Sequence, residues 1–242
     1  MSKNKLNQNR IANMYNQMVE IWPNDDKWYT YTHKCMIEYI EKYKAQNNFN
    51  SNSFILNIGS AGNEYGIVGN HFHIDIAEEH IKNCANHFVC SAENLPFEND
   101  YFDGGLCVGS VINYCDPFSV AKEISRTLKH GSTLVMDFEQ SNSWQFWGTN
   151  IYKKDSCIIT SFNSGFDDEI WIYSLKYIRS IFKHYNLSLT NIEFFHLISP
   201  LAYRIKKDEQ KAADFCRLDR FFSHIPYINQ KSCNIILTVK KA

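Results

Sequence analysis

Two glycines and an acidic residue follow two apolar strands in a pattern that suits the binding of a nucleoside. The segment FILNIGSAGNEYGIVGNHFHID contains a strand over Phe54–Ile58, then Gly59 and Gly62, and a second strand that ends at Asp75. Glycine permits the positive φ of a tight turn and lets a ligand approach the backbone closely. A carboxylate at the end of the next strand can accept hydrogen bonds from both hydroxyls of a ribose. We therefore expect a nucleoside-bearing ligand at the carboxyl edge of a parallel sheet.

This segment alone leaves three interpretations open. It fits a dinucleotide site, a methyl-donor site, or a glycine turn followed by a surface aspartate. A phosphate-binding G-x-G-x-x-G turn needs a third glycine where a long helix begins, and the sequence GSAGNEYG lacks that spacing and that helix. The downstream sequence is needed to choose among the three.

Short apolar segments alternate with helical segments through the middle of the chain. Strands spaced by helices in this way favour a parallel sheet that is covered on both faces. Basic residues followed by Gly131 indicate the end of a helix. The predicted strands are Phe54–Ile58, His71–Ile74, His87–Val89, a strand within Tyr101–Val108, and Thr133–Phe138, and the predicted helices are Ile81–Asn86 and Val120–Leu128.

The two ends of the chain have a different character. Residues 6–45 carry two stripes of apolar residues at helical spacing, with an aromatic segment between them. After Glu139 the sequence is polar and aromatic, and it predicts a short hairpin around Ile151–Ser161. The remaining predictions are helices at Trp171–His184 and near Asp208–Phe222, and strands at Ser188–Leu197 and Ser232–Lys240.

The bulk properties indicate a globular protein of one large domain, or of one domain and a small second one. The chain has 242 residues, of which 44% are hydrophobic and 21% charged, with a net charge of −1. This charge gives no basic field for nucleic acid. The eight cysteines are scattered without a CxxC pair, which favours reduced thiols in the cytoplasm. We expect neither a signal peptide nor a membrane span, because no apolar run is long enough.

Further motifs downstream point to one family. The segment SAENLPFENDYFDGGLCVGSVINYCD and the segment EISRTLKHGSTLVMDFE contain an LPF-x-x-x-x-FD pattern and an LK-x-G turn. In order and spacing, residues 54 to 139 resemble the core of the class I S-adenosylmethionine-dependent methyltransferases, in the group called methyltransferase type 11. The resemblance implies an α/β, doubly wound, Rossmann-like fold. Its seven-stranded, mostly parallel sheet would have the order 3-2-1-4-5-7-6.

The resemblance also implies a cofactor, S-adenosyl-L-methionine, with S-adenosyl-L-homocysteine as the product, and a set of residues that bind it. Backbone groups of the glycine turn would hold the methionine part, and the carboxylate of Asp75 would hold the ribose. Other positions would flank the adenine or face the sulfur. The cofactor-binding residues implied are Asn57, Gly59, Ser60, Gly62, Asp75, Ile76, Ser91, Ala92, Gly109 and Ser110.

The sequence departs from the family pattern in four places. Asn57 stands where the family usually has an acid, Ala61 replaces a glycine, and Ser91 replaces a frequent aspartate. About twelve residues separate Gly62 from Asp75, so we expect the helix that usually lies there to be short or absent. The loss of an acid at Asn57 removes a charge near a cationic ligand and predicts a weaker affinity for it.

The aromatic residues at the two ends of the chain are candidates for contacts with a substrate. We expect residues 1–50 to form a helical cap over a core of residues 51–242, with an insert at 140–170. The cap and the insert would exclude water from the site. The substrate candidates are Tyr15, Tyr114, Trp147, His196 and Tyr203, of which Tyr114, His196 and Tyr203 are also candidate bases.

No metal is expected. His71 and His73 lie on one face of the second strand without a third ligand in register, so packing is the better interpretation. The favoured function is methyl transfer to a small molecule in the cytoplasm. Two alternatives stay open, a non-catalytic module that binds S-adenosylmethionine and a protein or peptide methyltransferase. The atom that accepts the methyl group, the oligomeric state and the catalytic base are not determined by the sequence.

Overall fold

A seven-stranded sheet with helices on both faces forms the centre of the protein. The computed structural model describes residues 6–163 and 166–242. The strand order is β3-β2-β1-β4-β5-β9-β8. The strands are β1 Phe54–Ile58, β2 Asn70–Asp75, β3 His87–Val89, β4 Phe102–Cys107, β5 Leu128–Glu139, β6 Ser156–Asn163, β7 Phe166–Tyr173, β8 Leu187–Phe195 and β9 Asn234–Lys241.

The order confirms the predicted fold class. The first five sheet strands pair in parallel, β9 runs antiparallel to β5, and β8 runs antiparallel to β9. The strands β6 and β7 form a separate antiparallel hairpin, so β8 and β9 take the places predicted for strands six and seven. The α-helices are α1 Gln8–Gln17, α2 Lys27–Gln46, α3 Glu78–Ile81, α4 Pro117–Thr127, α5 Leu175–His184, α6 Ser199–Lys206, α7 Glu209–Ala213 and α8 Asp219–Phe222.

Two apolar layers cover the sheet. On one face, α4 and α5 bury residues such as Ile124 and Phe182 against the strands. On the other face, α2 buries Met36 and Ile40 against apolar residues of β1, β4, β5 and β9. The helix α2 is therefore part of the core, although it lies within the segment predicted to be a cap. None of the helices in the described ranges is long and apolar enough to cross a membrane.

Several predicted boundaries are wrong, and each has a local cause. Trp171–Tyr173 belong to β7 rather than to a helix, because buried and more exposed residues alternate from Asp168 to Ile172. The helix α5 begins only after Ser174, which caps it. The helix predicted near Asp208–Phe222 is broken into α7, a 3₁₀ turn and α8. In place of the predicted helix Ile81–Asn86 there is a single helical turn, α3, which ends at Ile81, before Asn83 and Asn86.

The connection between β1 and β2 shows the short crossover that the sequence predicted. Residues 59–69 form turns, and no helix is present among them. Gly131 has a φ of +79°, as the predicted turn requires, but it lies within β5 because α4 already ends at Thr127. The direct crossover brings the glycine turn close beside the end of β2.

Candidate active site

A cavity lies at the carboxyl ends of β1, β2 and β4, where the parallel strands meet one edge of the sheet. We call it the first cavity. In an open α/β sheet this edge is the usual place for a ligand. Its walls come from α1, the glycine turn after β1, the end of β2 and the segments after β3 and β4. They include Gln8, Ile11, Tyr15, Met18, Trp22, Tyr29, Gly59, Ser60, Ala61, Asp75, Ile76, Ala77, His80, Cys90, Ser91, Ala92, Gly109 and Tyr114.

The glycine turn approaches its neighbours too closely for a side chain. Gly59 has a φ of +61°, and an added Cβ would lie 2.2 Å from Cγ2 of Val111. The backbone N–H groups of Gly59 and Ser60 both donate to the carbonyl oxygen of Ile74 on β2. These bonds fix the turn against the end of the neighbouring strand. The turn therefore lines the first cavity with backbone atoms, and a ligand can lie along them.

The carboxylate of Asp75, at the end of β2, binds the glycine turn through hydrogen bonds. Its Oδ2 accepts a hydrogen bond from the N–H of Ala61 at 3.0 Å, and its Oδ1 accepts one from the N–H of Ala77 at 3.0 Å. Burial raises the pKa of the carboxyl group, and these two backbone bonds offset part of that effect. Each carboxylate oxygen keeps a second lone pair. The group can therefore accept two further hydrogen bonds from a diol in the cavity.

Asn57 lies behind the wall of the first cavity. Its Nδ2 donates to the carbonyl oxygen of Asn63, and its side chain is 1% exposed. Its Oδ1 has no hydrogen-bond partner among the residues that the structure describes. The side chain stabilises the glycine turn through this bond to Asn63. At the position where the family usually has an acid, this chain thus has a neutral side chain that stabilises the turn and does not line the cavity.

The two histidines of β2 are packed inside the protein. The rings of His71 and His73 are stacked, with their centroids 5.9 Å apart. Nδ1 of His73 is 3.1 Å from Oγ of Ser60, and Nε2 of His71 is 2.8 Å from the carbonyl oxygen of Ile67. Among the described residues, no three His, Cys, Asp or Glu side chains are placed so that they could share a metal ion.

A second turn, after β4, is held by a buried carboxylate. Asp137 of β5 accepts hydrogen bonds from the N–H groups of Gly109 at 2.6 Å and Ser110 at 3.1 Å. Burial raises the pKa of Asp137 to about 6. Gly109 has a φ of +91°, and a Cβ there would lie 3.7 Å from the ring of Trp22. The turn therefore presents bare backbone between the sheet and the N-terminal segment.

Helix α1 covers the first cavity. Nε2 of Gln8 donates to Oγ of Ser91 at 2.9 Å and to Oε1 of Glu93 at 3.1 Å. At the other end of the helix, Nε2 of His80 donates to the carbonyl oxygen of Tyr15 at 2.8 Å. These bonds join α1 to the segments after β2 and β3. The helix must therefore move or bend if a large ligand enters from that side.

A second cavity, of about 620 Å³, adjoins the first. Five residues line both cavities, namely Tyr15, Trp22, Tyr29, Gly109 and Tyr114. The second cavity is lined by the start of α2, the hairpin, the segment between α6 and α7, the end of β5 and the start of β9. Its other lining residues include Trp28, Ser110, Asn113, Glu139, Gln145, Ile159, Ile170, Tyr203, Lys207, Asp208, Glu209, Cys233 and Asn234.

A chain of hydrogen bonds runs along the boundary between the two cavities. Oη of Tyr15 donates to Oη of Tyr114 at 3.1 Å, and Oη of Tyr114 donates to Oδ2 of Asp168 at 2.6 Å. Burial, together with the nearby charge of Asp168, raises the pKa of Tyr114 well above its usual value. Tyr114 is therefore a hydrogen-bond donor at neutral pH and a poor base. It fixes the orientation of Tyr15 where the cavities meet.

Glu139 is a functional candidate that the sequence did not reveal. It ends β5 and lines the second cavity, half-buried. Burial raises its pKa to about 7, with further contributions from the charges of Glu209, Asp137 and Asp168. Those three residues come from different parts of the chain. Only the position at a strand end, where functional residues collect in α/β folds, could have singled out this glutamate.

The structure brings most of the implied cofactor residues to one place. Of the ten, seven line the first cavity, Ser110 lines the second, and Asn57 and Gly62 line neither. Gly62 lies beneath the turn, with a φ of +79° and the carbonyl oxygen of His80 2.9 Å from where a Cβ would be. The aromatic residues Trp22 and Tyr29 also line the first cavity, although no local pattern assigned them to it.

The five substrate candidates divide into two groups. Tyr15 and Tyr114 line both cavities, and Tyr203 lines the second. Trp147 lines neither, and its side chain is 58% exposed to solvent. His196 also lines neither, because it is fully buried and its ring is stacked on Trp28 with centroids 4.0 Å apart. Burial lowers the pKa of His196 to about 3, so this histidine is neutral.

Comparison with known protein families agrees with this geometry. Residues 57–136, which hold the glycine turn, Asp75 and the turn at Gly109, match the family model described as a methyltransferase domain. This part of the chain is a class I S-adenosylmethionine-dependent methyltransferase domain. An uncharacterized protein of Methanocaldococcus jannaschii is 30% identical over 102 residues, or 40% of this chain. The matching segment spans 41% of the length of that relative.

Solved structures show that the methyltransferase fold extends over almost the whole chain. The [4+2]-cyclase SpnF superposes with a TM-score of 0.62 at 13% identity, covering 99% of this chain and 97% of its own. Geranyl diphosphate C-methyltransferase of Streptomyces coelicolor gives 0.61 at 11%, covering 97% and 98%. An S-adenosylmethionine-dependent methyltransferase of Clostridium acetobutylicum gives 0.56 at 15%, also covering 97% and 98%. At these identities the likeness shows the fold alone.

S-adenosylmethionine is the cofactor of such a domain, and the first cavity fits it. Gly59 packs against Val111 and Gly109 lies beside Trp22, so both turns contribute backbone to the wall of the cavity. Between them, Asp75 offers two acceptor oxygens where a ribose would lie. Apolar residues, including Ile76 and Ala92, line the wall beside it and suit an adenine ring. The hydrogen-bond acceptors and the apolar lining are therefore compatible with the ribose and the adenine of the cofactor.

Proposed function

We propose that this protein transfers the methyl group of S-adenosylmethionine to a small molecule that binds in the second cavity. The observation that carries this proposal is the junction of the two cavities at Tyr15, Gly109 and Tyr114. A methyl group bound in the first cavity near Gly109 would face the second cavity directly. An acceptor there would lie on the far side of the methyl group from the sulfur, as in-line transfer requires.

Each cavity residue then has a definite task. When bound, S-adenosylmethionine supplies a methyl group on a sulfonium, which is already an activated electrophile. Asp75 fixes the ribose, the turn at Gly59 and Ser60 lies against the methionine part, and the turn at Gly109 lies beside the sulfur. Alignment of two reactants in this way can supply about 7–11 kcal/mol of the reduction in barrier. The aromatic rings around the junction exclude water.

The walls of the second cavity come from several parts of the chain, which favours a small acceptor over a polymer. We propose that residues 1–50 cover the core of residues 51–242 from one side and that the insert of residues 140–170 closes the other. The start of α2, the hairpin and the segment after α6 all contribute to the walls. A peptide or a nucleic acid would need an open groove, and the net charge of −1 gives no attraction for a phosphate backbone.

We also propose that the protein works in the cytoplasm. The cysteines are thiols at dispersed positions, as expected in a reducing compartment. A membrane partner is not part of the proposal.

Two binding measurements and one activity measurement test the proposed function. Calorimetry should show that the protein binds both S-adenosylmethionine and S-adenosylhomocysteine. A screen of small molecules with S-adenosylmethionine labelled in its methyl group should then find acceptors that take up the label. Binding without any transfer to metabolites, together with label on a peptide library, would contradict the small-molecule assignment. Failure to bind either compound would contradict the cofactor site itself.

A further inference from the structure

The second cavity contains a buried hydrogen-bond acceptor without a donor. Asn234 begins β9 and is paired in antiparallel register with Glu139 at the end of β5. Its side chain is 4% exposed, and its Oδ1 accepts no hydrogen bond from any residue in the described ranges. Both residues line the second cavity. Buried amide oxygens are almost always satisfied, and because Asn234 lines the second cavity, a ligand bound there can supply the missing donor.

The neighbouring carboxylate also lacks a strong donor. Within the described part of the chain, the one hydrogen bond to the carboxylate of Glu139 comes from the thiol of Cys233, with Sγ 3.9 Å from Oε2. No described lysine or arginine forms an ion pair with Glu139. A half-buried carboxylate in this setting lowers its energy when a cation binds beside it.

The charged groups around the cavity are mostly acidic. Among the described lining residues, Lys207 is the one cationic side chain, whereas three are acids, namely Glu139, Asp208 and Glu209. Asp208 is already paired with Lys211, at 2.9 Å. The other titratable groups that act on Glu139, or line the same cavity, are Asp137, Asp168, Cys233, Tyr15, Tyr29, Tyr114 and Tyr203. The field inside the cavity therefore favours a positively charged ligand.

Aromatic rings complete this environment. Trp22, Trp28, Tyr29, Tyr114 and Tyr203 all line the second cavity. The face of an aromatic ring attracts a cation through its quadrupole, and the attraction increases when water is excluded. Aromatic walls beside a carboxylate and a free amide oxygen are suited to an ammonium group that carries an apolar substituent.

We propose that the acceptor is an amine, which binds in the second cavity as its ammonium ion, with N–H groups directed to Glu139 and Asn234. This rests on the proposed methyl transfer and names its substrate class. Glu139 then has a second task, because an ammonium ion has no lone pair with which to attack. The carboxylate accepts one proton from the ammonium, and the neutral nitrogen gains its lone pair.

The step that follows is balanced in atoms and charge. The nitrogen forms a bond to the methyl carbon while the carbon–sulfur bond breaks, and that electron pair stays on sulfur. The nitrogen becomes an N-methylated ammonium, the sulfur becomes a neutral thioether, and Glu139 is left protonated. Glu139 returns its proton to solvent after the product leaves.

The raised pKa of Glu139 gives the proposal a pH dependence with a definite sign. Above about pH 7 the carboxylate is charged, so it can attract the ammonium ion and accept its proton. Below that pH it is protonated and can do neither. Amine binding should therefore strengthen as the pH rises through about 7, while simple alkyl amines remain protonated throughout this range.

The test compares amines with alcohols of the same shape on the whole protein saturated with S-adenosylhomocysteine. The probes are benzylamine and benzyl alcohol, cyclohexylamine and cyclohexanol, and butylamine and butanol. We expect each amine to bind about tenfold or more tightly than its alcohol, since a charged hydrogen bond replaces a neutral one. In Glu139→Gln the preference and its pH dependence should both disappear. In the control Glu193→Gln, at an exposed pair with Lys42 on β8, both should remain.

Each outcome decides the proposal. Equal binding of amines and alcohols by the wild-type protein, or an amine preference that does not change between pH 6 and 8, would overturn it, and neither result needs a variant. A preference that survives in Glu139→Gln would overturn the role of this glutamate. Binding of S-adenosylhomocysteine is measured first in every variant, so failure of the cofactor site is recognised separately from failure of the amine site.

Discussion

Replacement of Asp75 by alanine should weaken the binding of S-adenosylhomocysteine by about two to three orders of magnitude. Both oxygens of this carboxylate have a free lone pair toward the first cavity, and two charge-assisted hydrogen bonds to ribose hydroxyls are worth roughly 1.5–3 kcal/mol each. The substitution also removes the acceptor that holds the N–H groups of Ala61 and Ala77. Titration calorimetry on the wild-type protein and the variant measures the effect.

Asp103 offers a matched control for this experiment. Its carboxylate accepts a hydrogen bond from the N–H of Phe54 at 2.8 Å and pairs with Lys129 at 2.6 Å. Like Asp75 it accepts a hydrogen bond from a backbone N–H group, but it lies at the amino end of β4, away from both cavities. Asp103→Ala should lose stability and keep its affinity for the ligand. Equal affinities in wild type and Asp75→Ala would show that the ribose is not held at the end of β2.

Replacement of Gly59 by alanine should remove most of the affinity for S-adenosylhomocysteine through a steric clash. The new Cβ would lie 2.2 Å from Cγ2 of Val111, so either the glycine turn or the segment after Gly109 must shift. Both of these segments line the first cavity. The positive φ of +61° adds a backbone strain of about 1–2 kcal/mol for a residue with a side chain. We expect the affinity to fall at least about tenfold, as measured by calorimetry.

Two other glycines allow the effect of backbone strain to be measured without a steric clash. Gly131 and Gly148 have φ values of +79° and +78°, and an added Cβ would meet nothing within 4 Å at either position. Alanine at these positions should introduce backbone strain without a clash. We expect the melting temperature to fall by a few degrees and the affinity for S-adenosylhomocysteine to stay unchanged. If Gly59→Ala binds the ligand as well as Gly131→Ala does, the close approach of the turn is not part of the site.

The parts of the site that were predicted from sequence are those with a local signal. Gly59 and Asp75 each follow a short apolar strand, and both the turn and the acid have a fixed relation to that strand. Asn57 was identified as a departure, but its position behind the cavity wall depends on the bond to Asn63, which no spacing reveals. The missing helix before Asp75 was predicted from chain length, because too few residues were available to form it.

The remaining errors come from tertiary packing. Whether an aromatic or histidine side chain faces a cavity depends on elements far away in sequence, as with His196 between Trp28 and Ser199. Glu139 was missed because its environment is built by β7, α7 and β9. The hairpin strand at Trp171 was mistaken for a helix because a short apolar run gives an ambiguous period. Local patterns therefore predicted the lining of the first cavity better than that of the second.

A crystal structure with bound S-adenosylhomocysteine would test the central claim most directly. We expect the ribose hydroxyls within hydrogen-bond distance of Asp75 and the adenine beside Ile76 and Ala92. We expect the sulfur near Gly109, facing Tyr114 and the second cavity. A ribose away from Asp75, or a sulfur turned away from the second cavity, would contradict the assignment of the two cavities to methyl donor and acceptor.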